Sequence, residues 1–301
     1  MRSQTTKTGP RKTRKPATSP RRKPTSRATP QAALDATSSK QDLANSQLTE
    51  HFRELRLPMF RENFQTSAER AVTESLSHTE YLAELTDLEC QARRQSRVAR
   101  LMTRSQLTRS KTWDNFDWKR LPIQVTRQME SLRDGAFLDR RENLLIFGKP
   151  GSGKSHCLCA LGEQLVQRGR SVLLTTCSLL VQQLLIAKRD LRLPKLIKKM
   201  SSFDALIIDD LGYVQQSREE MEVLFTLLAE RYERGSVLLT SNLPFSKWEQ
   251  IFKDAMTTAA AIDRLVHHSV ILELNVPSYR LENAKNPRQK PRPNKADTKQ
   301  K

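Results

Sequence analysis

Gly148-Lys149-Pro150-Gly151-Ser152-Gly153-Lys154-Ser155 follows the apolar run Leu144-Leu145-Ile146-Phe147 and opens into a helix-compatible stretch that begins with His156. An apolar strand, glycines at this spacing, Lys-Ser and then a helix is the layout of a phosphate-binding P-loop. The glycines let the backbone take up positive φ and turn successive N–H groups toward phosphate oxygens, where a Cβ would intrude. Lys154 is suited to reach the β and γ phosphates and Ser155 to place its hydroxyl on Mg²⁺, while the following helix turns its positive end to the anion. Gly148, Lys149, Pro150, Gly151, Ser152, Gly153, Lys154, Ser155 and His156 are therefore the candidate nucleotide contacts, with ATP and Mg²⁺ as the expected ligands.

Charge is distributed unevenly around this motif. The chain of 301 residues carries a formal +19. Residues 1–34 hold ten Lys or Arg and no acid, residues 285–301 hold seven against Asp297, and about +3 is left for residues 35–284. Both ends are rich in proline and poor in apolar residues, so disordered basic tails are expected at 1–45 and 285–301. Such tails suit a polyanion, either as tethers to nucleic acid or as merely solvated segments. No run of eighteen apolar residues and no signal-peptide core occurs, so a soluble, unsecreted protein is expected, with no membrane partner. Cys90, Cys157, Cys159 and Cys177 show neither a disulfide framework nor paired zinc-ligand spacing and read as small buried hydrophobes.

Between Ser46 and about Arg109 the pattern is helical, broken near Pro58 and again near Ser77, where Ser77-His78-Thr79-Glu80 fits a capping box. On the last of these helices Arg93, Arg97, Arg100 and Arg104 are spaced to share one face, with Arg94 beside them. No acid falls between Gln91 and Lys111, which favours a phosphate-facing, DNA-binding surface over an ordinary solvated face. A small all-helical domain is expected over 46–112. Trp113, Phe116 and Trp118 then crowd a six-residue linker, packed either on the core or on an adenine ring.

Past the linker, short apolar runs alternate with helical stretches, the pattern of an α/β parallel sheet. Strands are expected at 143–147, 171–176, 204–209, 236–241 and 269–274. The third ends in Asp209-Asp210, where an α/β sheet displays groups to a ligand. Asp209 suits Mg²⁺ coordination through its water shell, and Asp210 is placed to orient or deprotonate an attacking water. Asn242, after the fourth strand, is either a γ-phosphate or water contact or a plain turn residue. Arg264, by residue type alone, reads as a partner for Asp263.

The P-loop, Ile207-Ile208-Asp209-Asp210-Leu211-Gly212-Tyr213, Thr240-Ser241-Asn242-Leu243-Pro244, Asp263-Arg264-Leu265 before His267-His268, and Ser278-Tyr279-Arg280-Leu281 together resemble the IstB-like ATPases. These AAA+ proteins assist bacterial insertion-sequence transposases and are related to the DnaC helicase loaders. The resemblance spans about residues 46–284. It implies a P-loop AAA+ core with a five-stranded parallel sheet over 113–284, ATP sites completed by adjacent subunits of a homo-oligomer, and assembly on duplex DNA beside a transposase in the bacterial cytoplasm and nucleoid. It also makes Asn242 the sensor of the γ phosphate and Arg264 an arginine finger given to a neighbour's ATP. A full AAA+ module continues into a helical lid with a second sensor arginine; here little more than the basic tail follows Leu281, and Arg280 is the candidate for that role.

The resulting expectation is an ATPase with Lys154, Asp209, Asp210, Asn242 and Arg264 as catalytic residues, coupled to DNA occupancy. A DnaC-like helicase loader, a P-loop small-molecule kinase and a scaffold with structural ATP are the competing readings.

Overall fold

Side chains alternate across a strand, so a short apolar run buried on both faces must be covered by helices on both sides. The five apolar runs of this chain meet that condition in the computed structural model, which describes residues 30–212, 217–249 and 255–285. Strands β1 (Asn143–Gly148), β2 (Val172–Thr176), β3 (Ala205–Leu211), β4 (Ser236–Ser241) and β5 (Ser269–Leu274) form one sheet in the order β2-β3-β4-β1-β5. Every pairing is parallel, as expected from the alternation of strands and helices.

Leu144, Ile146, Val172, Ala205, Ile207, Leu238 and Leu272 face one layer, built on α6 (Lys154–Gln167) and α4 (Ile123–Leu132), with the short α5 (Ala136–Asp139) beside them. Leu145, Phe147, Leu206, Ile208, Val237 and Leu239 face the other, built on α7 (Cys177–Arg189), α8 (Leu193–Ser201), α9 (Arg218–Arg231) and α10 (Ala255–Val266). A last helix, α11 (Tyr279–Lys285), follows β5. Because the strands are parallel, all their C-terminal ends lie on one edge, which is where an open α/β sheet receives its ligand. Cys157, Cys159 and Cys177 are buried, as their sequence context suggested, whereas Cys90 is only half-buried; burial pushes the Cys157 thiol above its usual range.

The chain divides into two units, Met1–Glu89 and Cys90–Lys301. In the first, α1 (Pro30–Glu54) and α2 (Pro58–Thr73) pack through Phe52 against Phe60 and Phe64, each pair 5.5 Å between ring centres. Glu89 accepts a 2.9 Å hydrogen bond from the Met59 N–H, so a carboxylate meets the positive start of α2. The third helix, α3 (His78–Ser105), starts from the expected capping box: Ser77 N–H donates to Glu80 at 2.8 Å and Glu80 N–H donates to Ser77 Oγ at 3.2 Å.

Two boundaries differ from the sequence reading. The basic tail was expected to reach residue 45, yet α1 begins at Pro30, because basic residues give way there to Ala32, Ala33, Leu34 and Ala36, good helix formers behind a proline at the first helical position. The remainder of that tail, residues 1–29, and residues 286–301 lie outside the described residues. The helical region was expected to end at 112, yet the division between units falls inside α3. Its second half belongs with the α/β core because Leu101 is buried there, with Val98 and Met102 packed beside it. Among the described residues no helix is long and apolar enough to cross a membrane.

One buried cation ties the second layer to the sheet. Arg231, at the end of α9, donates to the carbonyls of Met200 (2.8 Å), Phe203 (3.1 Å), Asp204 (3.3 Å) and Ser236 (2.8 Å). Burial pulls its pKa down to about 10, so it stays charged at neutral pH and four carbonyls share that charge. Arg231→Met removes the donors while keeping much of the apolar stem. A loss of about 3 kcal/mol is expected from the stranded carbonyls, read as a lower urea midpoint at unchanged slope; a change below about 0.5 kcal/mol would show that the guanidinium is not a structural tie.

Candidate nucleotide site

The site assembles at the C-terminal ends of β1, β3 and β4. After β1 the chain turns through residues 149–153 into α6. Gly153 takes φ +100° at the head of α6, and a Cβ there would stand 2.9 Å from the Phe116 ring. Gly151 takes φ +82°, packs under Ser278 and accepts a 3.0 Å hydrogen bond from the Tyr279 N–H. The two glycines therefore allow both left-handed backbone and close cover by neighbouring segments.

Lys154 is only 5% exposed, and its Nζ donates to the carbonyls of Gly148 (2.8 Å) and Lys149 (3.1 Å). Burial holds its pKa below the usual lysine range, against the opposing pull of Asp210 and Asp209. Ser155 Oγ donates to Asp209 Oδ1 at 2.8 Å, bringing the two expected Mg²⁺ ligands together. Their donors are a hydroxyl and a carboxylate, hard oxygens that fit Mg²⁺.

A local irregularity separates the two carboxylates. The β3–β4 register shifts between Ile208 and Leu211, and Asp210 adopts φ +61°. An extra residue in a strand re-aims its side chain, and a left-handed aspartate is strained, so something must hold the bulge. Thr240 on β4 does so. Its Oγ1 accepts from the Asp210 N–H at 2.8 Å and donates to Asp209 Oδ1 at 2.5 Å. Asp209 is thereby fixed toward Ser155 while Asp210 lines the cavity. Burial, and then the neighbouring Asp209 charge, raise the Asp210 pKa, with Lys154, Arg280 and Lys111 opposing. That shift makes Asp210 a better proton acceptor than an ordinary exposed aspartate.

The cavity, about 430 Å³, is lined by Pro150 to His156, Asp210 and Asn242 at its polar end and by Phe116, Leu121, Val276 and Tyr279 around it. Among the described residues, Asn242 Oδ1 and Ser152 Oγ are buried without hydrogen-bond partners. Buried polar atoms are almost always paired, so these two fit a site built for a polar ligand. His156 lines the cavity with its Nε2 3.0 Å from the Thr112 carbonyl, and burial lowers its pKa. Arg280 lines it too, while Arg120 stands 4.9 Å from the Tyr279 ring centre.

The aromatic linker takes both of its alternatives. Trp113 is buried in the core, stacked on Trp118 at 4.1 Å, whereas Phe116 turns to the cavity over Gly153. Sequence reasoning missed Thr240 as a site residue, together with Arg120, Val276 and Tyr279 of the lining.

Arg264 is not brought to this cavity. Asn143, the first residue of β1, donates to the carbonyls of Arg264 (3.4 Å) and Leu265 (3.0 Å), whereas the P-loop follows the last residue of β1. About 17 Å of strand separates the two ends. The Arg264 guanidinium lies over the Phe225 ring at 4.5 Å, and among the described residues its buried Nη1 has no hydrogen-bond partner and it forms no ion pair with Asp263.

The arginine face of α3 is partly engaged within the chain. Arg97 donates to the Gly169 carbonyl at 3.1 Å and Arg104 lies 5.4 Å from the Phe203 ring centre, while Arg93, Arg94 and Arg100 are exposed.

The chain is similar to proteins already known. An insertion sequence ATP-binding protein of Sinorhizobium fredii is 39% identical over 232 residues, 77% of this chain and 78% of that protein. The insertion sequence IS5376 ATP-binding protein of Geobacillus stearothermophilus is 35% identical over 77% of this chain and 92% of its own length. A crystal structure of a DNA replication initiation factor shares the fold at a TM-score of 0.50 and 17% identity, covering 61% of this chain and 55% of that one. The family model for the IstB-like ATP binding protein matches residues 50–287, and the chain belongs to that family.

Proposed function

We propose that this protein hydrolyses ATP at subunit interfaces of a homo-oligomer that assembles on duplex target DNA and assists a transposase. The observation that carries the hydrolytic part is the Thr240-held bulge, which aims Asp209 at Ser155 and Asp210 into the cavity beside Lys154 and Asn242. The insertion-sequence names of the relatives support the transposition setting.

In this reading the P-loop N–H groups and Lys154 bind the phosphates, and Ser155 and Asp209 hold Mg²⁺. When bound, Mg²⁺ supplies positive charge to the β and γ phosphates. Asp210 takes the proton of the attacking water, and the Asn242 amide contacts the γ phosphate or that water. Phe116 and Tyr279 offer aromatic surface to the base. Arg264, remote from its own P-loop, serves the ATP of a neighbour. The exposed arginines of α3 hold DNA phosphates, and ATP turnover switches assembly and with it DNA occupancy.

The defining measurement is ATPase rate against protein concentration with no DNA, single-stranded DNA or duplex. A steeper than linear rise, strengthened by duplex, is expected. Stimulation mainly by single strands would replace this reading with a helicase loader, and indifference to both would remove the coupling to DNA.

Arg264→Ala is expected to bind ATP normally and to lose about 10³-fold or more in turnover. Mixing it with Asp210→Asn protein restores turnover if the finger acts between subunits, because each chain then supplies what the other lacks. No gain on mixing would refute a finger in trans.

Thr240→Val conserves shape and removes both hydroxyl bonds. The stranded Asp210 N–H is expected to cost about 1–3 kcal/mol of stability, and turnover is expected to fall while ATP affinity, measured by calorimetry, changes little. Wild-type turnover in that variant would show that the bulge does not depend on the hydroxyl.

A further inference from the structure

A second cluster stands at the opposite edge of the sheet from the P-loop, where α9 ends and β5 begins. His267 and His268 are consecutive, and in extended backbone their side chains would point to opposite faces. His268 instead has φ +56°, and the two rings lie 3.9 Å apart between centres. Glu233, just past α9, is also left-handed at φ +57°. The consequence of these turns is a grouping of three ligand types. One nitrogen from each histidine and one Glu233 oxygen all lie within 4.8 Å of one another, and all three residues are exposed.

The surroundings favour coordination. The Tyr232 hydroxyl lies 2.8 Å from His267 Nδ1, so with Nδ1–H donated to it the ring is oriented and Nε2 presents its lone pair outward. A hydrogen bond on the far nitrogen is the usual support of a metal-ligating histidine. The backbone under the cluster is anchored as well: His267 N–H donates to the Asp263 carbonyl at 2.9 Å, and the His268 carbonyl accepts from Asn143 N–H at 2.8 Å. Of the two arginines lining the same cavity, Arg140 is held by both oxygens of Glu142, at 2.7 and 2.9 Å.

We infer that Glu233, His267 and His268 form a surface site for a divalent transition-metal ion of the zinc or nickel class. Two imidazoles and one carboxylate are the donor set that such ions accept, whereas Mg²⁺ prefers all-oxygen sites. Ligand atoms around a tetrahedral ion stand about 3.4 Å apart, so an ion would draw these three exposed side chains closer together. A bound ion would cross-link the end of α9 to the α10–β5 corner, the segment that carries Arg264. The inference stands on this cluster alone and is independent of the proposed hydrolytic function.

Co²⁺ is the direct probe, titrated into the tag-free full chain without nucleotide and followed by its visible absorption. One Co²⁺ per chain, displaced by Zn²⁺, is expected. His267→Gln and His268→Gln, each checked for folding by circular dichroism, are expected to abolish the band, and Tyr232→Phe to weaken binding by about 10–100-fold. Absence of the band in the wild type, its survival in the double histidine variant, or its loss in Cys90→Ser in place of the histidine variants would each overturn the site.

Discussion

The hydroxyl of Thr240 is the interaction on which the candidate hydrolytic site depends. A parallel strand delivers alternate side chains to opposite faces, so two adjacent carboxylates cannot both serve one cavity without a break in the ladder. β3 makes that break at Asp210 and leaves the Asp210 N–H without its regular strand partner. Thr240 supplies an acceptor for that N–H and a donor for Asp209 Oδ1 from one atom. Only a hydroxyl does both at this reach. The position is therefore set by chemistry and register together, and the strain at Asp210 is sustained because the neighbouring strand is itself fixed between β3 and β1.

The same reasoning explains what could be read from the sequence. The P-loop was legible because its composition answers to local backbone geometry: glycines for positive φ, then Lys154 and Ser155 at fixed offsets. The strands were legible because each is an apolar run buried on two faces, and their expected bounds fall within a residue or two of those observed. Thr240 was not legible as a site residue, since its role exists only once β4 is registered against the bulge in β3. Phe116 and Trp113 could not be told apart by spacing, because one faces the cavity and the other the core only after the linker has folded onto α6. The start of α1 was missed for a different reason. The basic, proline-rich stretch gives way at Pro30 to Ala32, Ala33, Leu34 and Ala36, well before the bound of 45 expected for the tail.

Arg97 and Arg104 show the limit of periodicity as a functional signal. Their spacing placed them correctly on one side of a helix, but spacing does not say what that side meets. Arg97 caps the carbonyl of Gly169, where α6 has ended, and Arg104 covers Phe203. Long basic side chains commonly lay their stems on a neighbouring element while the head group stays wet. Both residues remain exposed, so packing and phosphate attraction are compatible uses of the same guanidinium.

In the proposed function Arg264 meets a phosphate, yet its own P-loop lies at the other end of β1. The parallel sheet forbids that meeting within one chain. All strands run the same way, so every strand-to-helix turn, including the P-loop, lies on one edge, and every helix-to-strand turn, including the segment between Arg264 and β5, lies on the other. Asn143 marks the separation directly: its side chain holds the Arg264 carbonyl at the very start of the strand that ends in the P-loop. In the proposed function, a site whose positive charge comes from the far edge of another copy would turn over only when copies stack, which would tie the rate to assembly without any separate regulatory element. Among the described residues Arg264 Nη1, beside Phe225, has no hydrogen-bond partner, which leaves it open to the use proposed for it on a neighbouring copy.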